Sequence, residues 1–338
     1  MNNKIKAGVI GVGTMGSSYA KMIKTLRDVE LVGIMDVNED QTTKIAAELD
    51  IKSYTDAEKF FNSEKPEVVV ISCPDEFHAE YTIMALERNI NVHLEKPVAD
   101  TLENCIKILD ASKKSKAKVN IGYILRILPQ YSYIRDGIKS GKFGDIIHFY
   151  TRRNATLNEG LRWKGRTDLS TYLVCHDADI MMWITGNKVE RVYGEEAINK
   201  SLKSFNTHDS IQVNLKCEDG SIGVIECSWA IPNVGRFSID NRMEIVGTKE
   251  AAYVNLQDQG LLYLSEDGML WPGMVFGAYA DGFFVGGLKN EFEKFIESII
   301  DDKPVMCSIE EGIEATKVAI AAKISIKENR VVYIKDIK

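Results

Sequence analysis

The sequence predicts an α/β protein with an N-terminal doubly wound parallel sheet and a C-terminal α+β domain built on an open, mainly antiparallel sheet. Up to about Tyr123, short apolar runs alternate with longer stretches of helical period, which is typical of parallel strands covered by helices on both faces. After Arg126, strand-like runs follow one another, separated by turn signals such as EDG and VGTKE. We therefore expect two domains, 1–123 and 124–338.

Five strand-like runs make up the sheet of the first domain. They are IKAGVIG, ELVGIMD, EVVVISC, NVHLE and KVNIGY. Their apolar residues are nearly continuous, as in strands buried on both faces, and helical patterns such as YTIMALERN and ENCIKILDASKKS lie between them. This order predicts a nucleotide-binding domain.

The second domain begins with a predicted helix, PQYSYIRDGIKSG, and a strand, DIIHFYTRR. An irregular segment, NATLNEGLRWKGRTDLS, leads to a helix that ends near Gly186, and strands follow from Val189 to about Leu264. Two helices, GGLKNEFEKFIESII and IEEGIEATKVAIAAKISIK, precede a last strand, RVVYI. Several sheet segments carry apolar residues on both faces. Either a second copy covers one face, giving a homodimer or homotetramer, or loops and the terminal helices do.

The composition excludes several classes of function. A chain of 338 residues, 45% of them hydrophobic, is long enough for two substantial cores, and a net charge of −7 argues against binding nucleic acid. No apolar run approaches the roughly 18 residues of a membrane span, and the N-terminus lacks a signal-peptide pattern. We expect a cytoplasmic protein. The six cysteines show no CxxC spacing, which argues against a zinc site and a disulfide framework.

A glycine-rich turn predicts a dinucleotide site of the Rossmann type. GVGTMG places Gly11, Gly13 and Gly16 in GxGxxG spacing, directly after a strand and before a helix. Such glycines permit a tight turn, a close approach of a pyrophosphate and tight packing of helix on strand, while the helix N-terminus favours the phosphate charge. The second strand ends in Asp36, where a carboxylate accepts hydrogen bonds from ribose hydroxyls.

The residues after Asp36 distinguish between the two nicotinamide cofactors. They are Val37 and Asn38, so no arginine is present to pair with a 2′-phosphate, which Asp36 would repel. NAD is therefore expected, with NADP as the less favoured alternative.

The segment from Val68 to Asn104 resembles the core signature of the Gfo/Idh/MocA family, which takes its name from glucose-fructose oxidoreductase, inositol dehydrogenase and a rhizopine-catabolism protein. Its strongest motifs here are GVGTMG, the stretch from Pro74 to His78, and the stretch from Glu95 to Pro97. GYILRILPQY, SGKFGDIIHF, HDADIMMW and SIEEGIEATKVAIAAKIS are similar to further family segments, so the resemblance spans nearly the whole chain. It implies a Rossmann domain, a nicotinamide cofactor and a sugar-like substrate.

Glu95 and Lys96 end the strand NVHLE, at the sheet edge where doubly wound folds bind ligands. Pro97 restricts Lys96 to extended backbone geometry and so fixes its direction. A lysine there can position a substrate hydroxyl and stabilise negative charge on its oxygen. The resemblance implies that Lys96 lies between cofactor and substrate and that Glu95 helps to hold the nicotinamide. The alternative is a surface pair at the end of a strand.

His176 is the candidate base that takes the hydroxyl proton, since an imidazole titrates near neutral pH. In an α-helix, His176 shares a face with Ile180 and Trp183, with Tyr172 one turn upstream. The resemblance implies a catalytic histidine at His176, but an aspartate where this chain has Tyr172. Tyr172 either replaces it as proton donor or relay, or lines the pocket. A core or substrate-orienting role for His176 is the alternative.

Further site residues follow from these motifs. The predicted cofactor contacts are Gly11, Gly13, Thr14, Met15, Gly16, Asp36, Val37, Cys73, Pro74, His78, Glu95 and Lys96, with His78 either structural or in contact with the cofactor. The predicted substrate contacts are Tyr123, Arg126, Asn154, Arg162 and Trp163, each of which serves equally well to stabilise a domain interface. Arginines 126, 152, 153, 162 and 166 suit an acidic or phosphorylated sugar, unless they form ion pairs.

The sequence thus predicts an NAD-dependent oxidoreductase that acts on a secondary hydroxyl of a sugar, inositol or related polyol, with Lys96 and His176 handling the proton. The spacing of His, Cys, Asp and Glu predicts no metal site. One alternative is an NADP-linked reductase of a keto-sugar or diol, with Tyr172 as proton donor. Another is a non-catalytic dinucleotide-binding regulator. The predicted partners are a small-molecule polyol or sugar and further copies of the chain, with no membrane and no nucleic acid.

Overall fold

The computed structural model describes residues 4–198, 200–205, 207–233, 239–257, 263–265, 268–270 and 275–337. The chain divides into two compact units. The first comprises Met1–Ile124 and Phe276–Ile313, and the second comprises Leu125–Val275 and Glu314–Lys338.

A six-stranded sheet forms the centre of the first unit. Its strands are β1 (Ile5–Ile10), β2 (Val29–Met35), β3 (Lys52–Tyr54), β4 (Val68–Ile71), β5 (Asn91–Glu95) and β6 (Val119–Gly122). All pairs are parallel, in the order β3-β2-β1-β4-β5-β6, which is the Rossmann order. The predicted parallel sheet is confirmed. β3 was not predicted, because it is only three residues long and carries no apolar run.

Helices connect these strands. They are α1 (Thr14–Lys24), α2 (Glu39–Leu49), α3 (Ala57–Glu64), α4 (His78–Glu87) and α5 (Leu102–Ser112). Polar caps begin three of them, since Asn38, Asp56 and Thr101 each accept a hydrogen bond from a backbone N–H in the first turn. α1 begins differently, because its N-cap is Gly13.

The second unit contains a seven-stranded sheet. Its strands are β7 (Ile146–Thr156), β8 (Val189–Ile198), β9 (His208–Cys217), β10 (Ile222–Ile231), β11 (Ile239–Gly247), β12 (Ala251–Asn255) and β17 (Val332–Tyr333). The order is β12-β11-β7-β10-β9-β8-β17, and only the β7–β10 pair is parallel. This confirms the predicted open, mainly antiparallel sheet. Tyr263–Ser265 (β13) and Gly268–Leu270 (β14) form a separate two-stranded ladder.

Helices of the second unit contribute to the core on its sheet. They are α6 (Pro129–Lys139), α7 (Leu157–Trp163), α8 (Cys175–Thr185) and most of α10 (Ile309–Glu328). The predicted helix ending at Gly186 is borne out, because Gly186 adopts the left-handed conformation that ends α8. The segment predicted to be irregular contains the helix α7. Ser170–Val174, before α8, form a π-helical turn.

The segment Phe276–Ile313 belongs to the first unit by its contacts, although the predicted second domain, 124–338, included it. It holds the hairpin of β15 (Ala278–Ala280) and β16 (Phe283–Val285), followed by α9 (Gly287–Ile300). The physical reason is apolar burial: Phe292 and Phe295 of α9 pack on His93 of β5, with ring centroids 6.0 and 5.8 Å from the imidazole.

Among the helices that the structure describes, none combines the length and the apolar character that a membrane crossing needs.

Candidate functional site

Backbone packing fixes two glycines of the GVGTMG turn. Gly11 has a φ of +84°, and a Cβ added there would lie 2.5 Å from the backbone nitrogen of Cys73. A Cβ on Gly16 would lie 1.8 Å from the carbonyl oxygen of Gly11. Real atoms cannot approach that closely, so both positions require glycine for the β1–α1 turn to close.

The third glycine, Gly13, meets no such constraint from the protein. Its φ is −62°, and a Cβ there would have no protein atom within 4 Å. Gly13 is the N-cap of α1, so no side chain caps the first backbone N–H groups, where Thr14 and Met15 begin the helix. Open space beside an uncapped helix N-terminus fits the phosphates of a dinucleotide.

Asp36 lies directly after β2 and is tied to the glycine turn. Its Oδ2 accepts a hydrogen bond from the Val12 backbone N–H at 2.7 Å, and its Oδ1 accepts one from Asn38 at 2.9 Å. These bonds fix the carboxylate at the edge of the sheet. The neighbouring Val37 side chain is 75% exposed, which leaves its surface available to a ligand.

His78 joins the loop after β4 to the segment after β5. Its Nδ1 lies 2.9 Å from the carbonyl oxygen of Pro97 and its Nε2 lies 3.1 Å from that of Cys73. Burial lowers the pKa of His78. Burial also raises the pKa of the Cys73 thiol to about 12, so this cysteine stays protonated at neutral pH. His78 is therefore placed to hold Pro97, while Pro74 begins the turn into α4.

Glu95 and Lys96 occupy the carboxyl end of β5, and the Lys96–Pro97 peptide bond is cis. The Lys96 backbone N–H donates to Glu95 Oε2 at 3.3 Å. Burial raises the pKa of the Glu95 carboxyl, an effect that Lys96 and the Tyr19 hydroxyl partly offset. Lys96, the glycine turn and Asp36 thus all lie at the carboxyl edge of the same parallel sheet, as the sequence predicted for this fold.

A series of buried hydrogen bonds lies next to Glu95 and was not predicted from the sequence. The Cys307 backbone N–H donates to Asn120 Oδ1 at 3.1 Å, so Asn120 Nδ2 faces His93 Nδ1, also at 3.1 Å. Burial lowers the pKa of His93 to about 3, so the ring is neutral. Its proton is then on Nε2 and points to the Tyr19 hydroxyl at 2.8 Å, which donates onward to Glu291.

Tyr19, a member of this group of hydrogen bonds, also interacts with Glu95. Hydrogen bonding between the Tyr19 hydroxyl and Glu95 lowers the pKa of that carboxyl, and burial, followed by the charges of Glu95 and Glu291, raises the pKa of Tyr19 well above its usual range. Tyr19 is therefore a neutral hydroxyl between the buried Glu291 and the half-buried Glu95, and its single proton points to one of them at a time. No spacing rule points to such a group, because its members come from α1, β5 and α9.

In the second unit, α8 presents the predicted histidine. His176 is half-buried in its first turn. Its neighbours Asp177 and Asp179 are buried in ion pairs: Arg153 binds Asp177 at 2.7 and 3.1 Å, and Arg126 binds Asp179 at 3.0 and 2.6 Å. These pairs anchor α8 on both sides of the histidine.

The π-helical turn changes the geometry predicted for Tyr172. The α-helical phase that places a residue one turn upstream of His176 holds only from Cys175 onward, since Tyr172 lies within the π-helical turn. Instead, the Tyr172 hydroxyl donates to Glu159 Oε1 at 3.1 Å. π-Helical turns are rare and are often found at functional sites.

Glu159 of α7 accepts hydrogen bonds from two of the predicted substrate residues and from Tyr172. It was not itself predicted as a site residue. Its Oε1 accepts hydrogen bonds from Arg162 Nη2, from Trp163 Nε1 at 3.3 Å and from the Tyr172 hydroxyl. The rings of Trp163 and Tyr172 lie edge to face, 4.9 Å apart. The signal available in the sequence was the i, i+3 and i, i+4 spacing of a glutamate with Arg162 and Trp163.

The remaining predicted substrate residues lie elsewhere. Asn154 donates to Glu226 Oε1 at 2.6 Å on the sheet. Arg126 is 4% exposed, paired with Asp179, and its guanidinium lies 5.8 Å from the Trp183 ring. Tyr123 belongs to the first unit and is 1% exposed. Their contacts hold the fold together, and a role in substrate binding stays a prediction for each.

Within the described part of the chain, no group of three or more His, Cys, Asp and Glu side chains is arranged to hold a metal ion.

Two family models match this chain. One, described as an oxidoreductase family with an NAD-binding Rossmann fold, matches residues 5–123. The other, described as the GFO/IDH/MocA C-terminal domain, matches residues 131–253. The chain belongs to the Gfo/Idh/MocA family and is an oxidoreductase with an NAD(P)-binding Rossmann domain.

Individual relatives agree with this assignment. The chain is 24% identical over 343 residues to the myo-inositol 2-dehydrogenase of Thermotoga maritima, covering 98% of this chain and 99% of that protein. A probable dehydrogenase from Thermotoga maritima has a similar fold, with a TM-score of 0.84 at 21% identity, covering 99% of this chain and 100% of that one. The scyllo-inositol dehydrogenase from Lactobacillus casei, solved with NAD(H) and scyllo-inositol, has a TM-score of 0.85 at 20% identity. The match covers 99% of this chain and 100% of that one.

Proposed function

We propose that this protein is an NAD-dependent dehydrogenase that moves a hydride between a secondary hydroxyl of a sugar, inositol or related polyol and the nicotinamide. The observation that carries the proposal is the position of Lys96 at the carboxyl end of β5, on the sheet edge that also holds the glycine turn and Asp36. The inositol 2-dehydrogenase of Thermotoga maritima, similar over nearly the whole chain, supports the substrate class.

The dinucleotide, when bound, supplies the hydride acceptor. The residues proposed to hold it fit this role, since Gly13 leaves open space beside the N-terminus of α1. Two backbone N–H groups fix the Asp36 carboxylate, which accepts hydrogen bonds from the ribose hydroxyls. Because this carboxylate repels a 2′-phosphate, the site favours NAD over NADP. The proposed cofactor contacts also include the other glycines, Thr14, Met15, Val37, Cys73, Pro74, His78, Glu95 and Lys96.

Lys96 and His176 divide the handling of the substrate hydroxyl. Lys96 orients the hydroxyl and stabilises the negative charge that develops on its oxygen, with Glu95 and the hydrogen bonds of Tyr19 holding the backbone that carries it. His176 accepts the hydroxyl proton as general base. The anchoring of α8 by Arg153 and Arg126 keeps the imidazole in place.

Two alternatives remain from the sequence. In an NADP-linked reductase of a keto-sugar or diol, Tyr172 donates the proton. In a dinucleotide-binding regulator, Lys96 and His176 have no chemical task. We further propose that the protein works in the cytoplasm as a homodimer or homotetramer, which the exposed Ile147, Ile222 and Tyr253 on the strands of the second unit support.

The experiment that tests this function compares wild-type protein with Lys96→Ala and His176→Asn. Formation of reduced nicotinamide would be followed by absorbance with inositols, aldoses and diols, each with NAD and with NADP. We expect oxidation of a polyol with NAD. Each variant should lose about 10²- to 10⁴-fold in kcat, the usual contribution of a positioned proton-handling group, while calorimetry should show that NAD still binds.

The matched control is Lys107→Ala, which removes an exposed lysine of α5 paired with Glu103. It should behave as wild type. Full activity in Lys96→Ala would refute the proposed role of this lysine. Binding of NAD without turnover of any polyol would favour the regulator, and turnover with NADP alone would favour the reductase.

A further inference from the structure

The carboxylate of Glu159 has one occupied oxygen and one open oxygen. Arg162, Trp163 and Tyr172 all donate to Oε1. In the described part of the chain, no hydrogen bond reaches Oε2, and the side chain is 29% exposed. The three donors therefore hold the carboxylate in one orientation and leave its second oxygen available to a ligand.

The bond between Tyr172 and Glu159 also decides what Tyr172 offers a ligand. Because the phenol proton points to Glu159, Tyr172 helps to orient the carboxylate and has no second proton to give to a ligand. Glu159 Oε2 is an acceptor, which suits a ligand that brings donors. The hydroxyls of a neutral polyol are donors, whereas a carboxylate or phosphate brings a like charge and no proton to give.

The arginines that favoured an acidic substrate are engaged within the protein. Arg126 binds Asp179, Arg153 binds Asp177, Arg152 lies 2.9 Å from Asp240, and Arg162 binds Glu159. The fifth, Arg166, donates its Nε to the Trp163 carbonyl at 3.3 Å. For four of the five arginines, a substrate anion would have to compete with a carboxylate, which an uncharged polyol does not have to do.

Aromatic residues contact the same carboxylate. The centroid of the Tyr172 ring lies 4.9 Å from that of Trp163 and 5.9 Å from that of Trp229, and Trp229 is fully buried. Packing on Trp229 fixes the phenol, and Arg162 lies 4.9 Å from the Trp163 ring. Rigid aromatic surface beside a few fixed polar groups is the usual composition of a small-molecule site.

We propose that Glu159 is a specificity-determining residue that selects neutral polyols over acidic or phosphorylated sugars, with Tyr172 as a donor that orients its carboxylate. The inference rests on the proposed function and narrows its substrate class. Glu159 lies thirteen positions before Tyr172 and supplies a carboxylate to the place where this chain carries a phenol.

The test measures discrimination within matched pairs of compounds: D-glucose with D-glucuronate, and myo-inositol with its monophosphate. We would determine kcat and KM with NAD for wild type and Glu159→Gln. Calorimetry would measure how each compound binds to the NADH-loaded form of both proteins. Wild type should prefer the neutral member. Glu159→Gln should reduce that preference about 10- to 100-fold, mainly through KM for the neutral compound, because a hydrogen bond to a charged group is lost.

A matched control exists in the same unit. Glu195 of β8 accepts a hydrogen bond from the Tyr193 hydroxyl, so it repeats the pairing of carboxylate and phenol away from α7. Glu195→Gln should leave the preference unchanged. Tyr172→Phe removes one of the donors that orient the Glu159 carboxylate and should also weaken binding of the neutral compounds.

The two proposals fail in different ways. A wild-type preference for the anionic member, or an unchanged preference in Glu159→Gln, would overturn the role of Glu159 while the dehydrogenase stands. Absence of turnover in wild type would count against the dehydrogenase. Calorimetry would then still decide the role of Glu159: weaker binding of the neutral compounds in Glu159→Gln supports it, and equal or undetectable binding overturns it.

Discussion

The glycine turn of the first unit and the segment from α7 to α8 of the second are held in place by different means. Backbone contacts fix the turn, since a Cβ on Gly16 would lie 1.8 Å from Gly11. Side-chain pairs fix the segment, including Arg153 with Asp177 in the interior and Glu159 with Tyr172 nearer the surface. Steric exclusion tolerates one residue type, whereas an ion pair depends on both partners.

This difference predicts where each region is vulnerable. A site fixed by its backbone fails when atoms are added to it, and one fixed by pairs fails when a single partner is removed. The predictions below test these two expectations.

The largest effect is expected from breaking the buried pair beneath α8. Asp177 is 1% exposed and Arg153 is 5% exposed, so Asp177→Ala leaves a buried guanidinium without its carboxylate. The free energy of unfolding should fall by about 3–5 kcal/mol. Urea denaturation followed by tryptophan fluorescence reports on this unit, because all four tryptophans lie in its part of the sequence.

The control for this prediction is an exposed pair. Asp110→Ala removes the partner of Lys113 on α5, and both side chains are more than half exposed. Asp110→Ala should lower the free energy of unfolding by no more than about 1 kcal/mol. A loss of similar size in Asp177→Ala would show that α8 does not depend on its buried pair.

The second prediction concerns added atoms in the glycine turn. Gly16→Ala should destabilise the first unit by roughly 1–3 kcal/mol, because the methyl group would displace the Gly11 carbonyl. Gly13→Ala should leave stability nearly unchanged, since its φ of −62° suits alanine and no protein atom lies within 4 Å. It should nevertheless weaken NAD binding, because the methyl group enters the proposed phosphate space.

Thermal unfolding and NAD calorimetry on both variants would check this pair. If Gly13→Ala bound NAD as tightly as wild type, the turn would not approach the phosphates in the proposed way.

The third prediction uses the buried histidine behind Glu95. Burial lowers the pKa of His93 to about 3, whereas an unfolded imidazole titrates near pH 6.5. Between these values the unfolded state binds the extra proton, so stability falls as the pH falls. From about pH 6.5 to pH 5 the loss should be about 2 kcal/mol. Below about pH 3 both states are protonated and this loss is complete.

Denaturation at several pH values, in wild type and His93→Gln, isolates this contribution from those of Tyr19, Glu95 and Glu291. The variant should be less stable at neutral pH but lose less on acidification. If stability depended on pH in the same way in wild type and in His93→Gln, His93 would not be a neutral, buried imidazole.

The same contrast explains how much could be predicted from the sequence. Gly11, Gly16 and Asp36 lie in a motif because the turn leaves the backbone little choice, and the structure places all three at the carboxyl edge of the predicted sheet. β3 was missed because three polar residues carry no periodic signal.

The contact between α7 and Tyr172 could not be predicted, because it joins two elements and does not follow from spacing along the chain. Glu159 and Tyr172 are thirteen residues apart, and the intervening π-helical turn breaks the α-helical phase on which the relation of Tyr172 to His176 was predicted. Similarly, α9 joins the first unit because Phe292 and Phe295 pack on His93. A helix at the far end of the chain gives no sequence signal for its partner.

The most direct test of the central claim follows the hydrogen itself. Wild-type protein would be incubated with NAD and a polyol deuterated at its carbinol carbons, and the recovered dinucleotide analysed by mass spectrometry. The account predicts that deuterium moves from carbon to the nicotinamide in wild type and that this transfer is nearly lost in Lys96→Ala. Consumption of the polyol with no deuterium in the dinucleotide would contradict it.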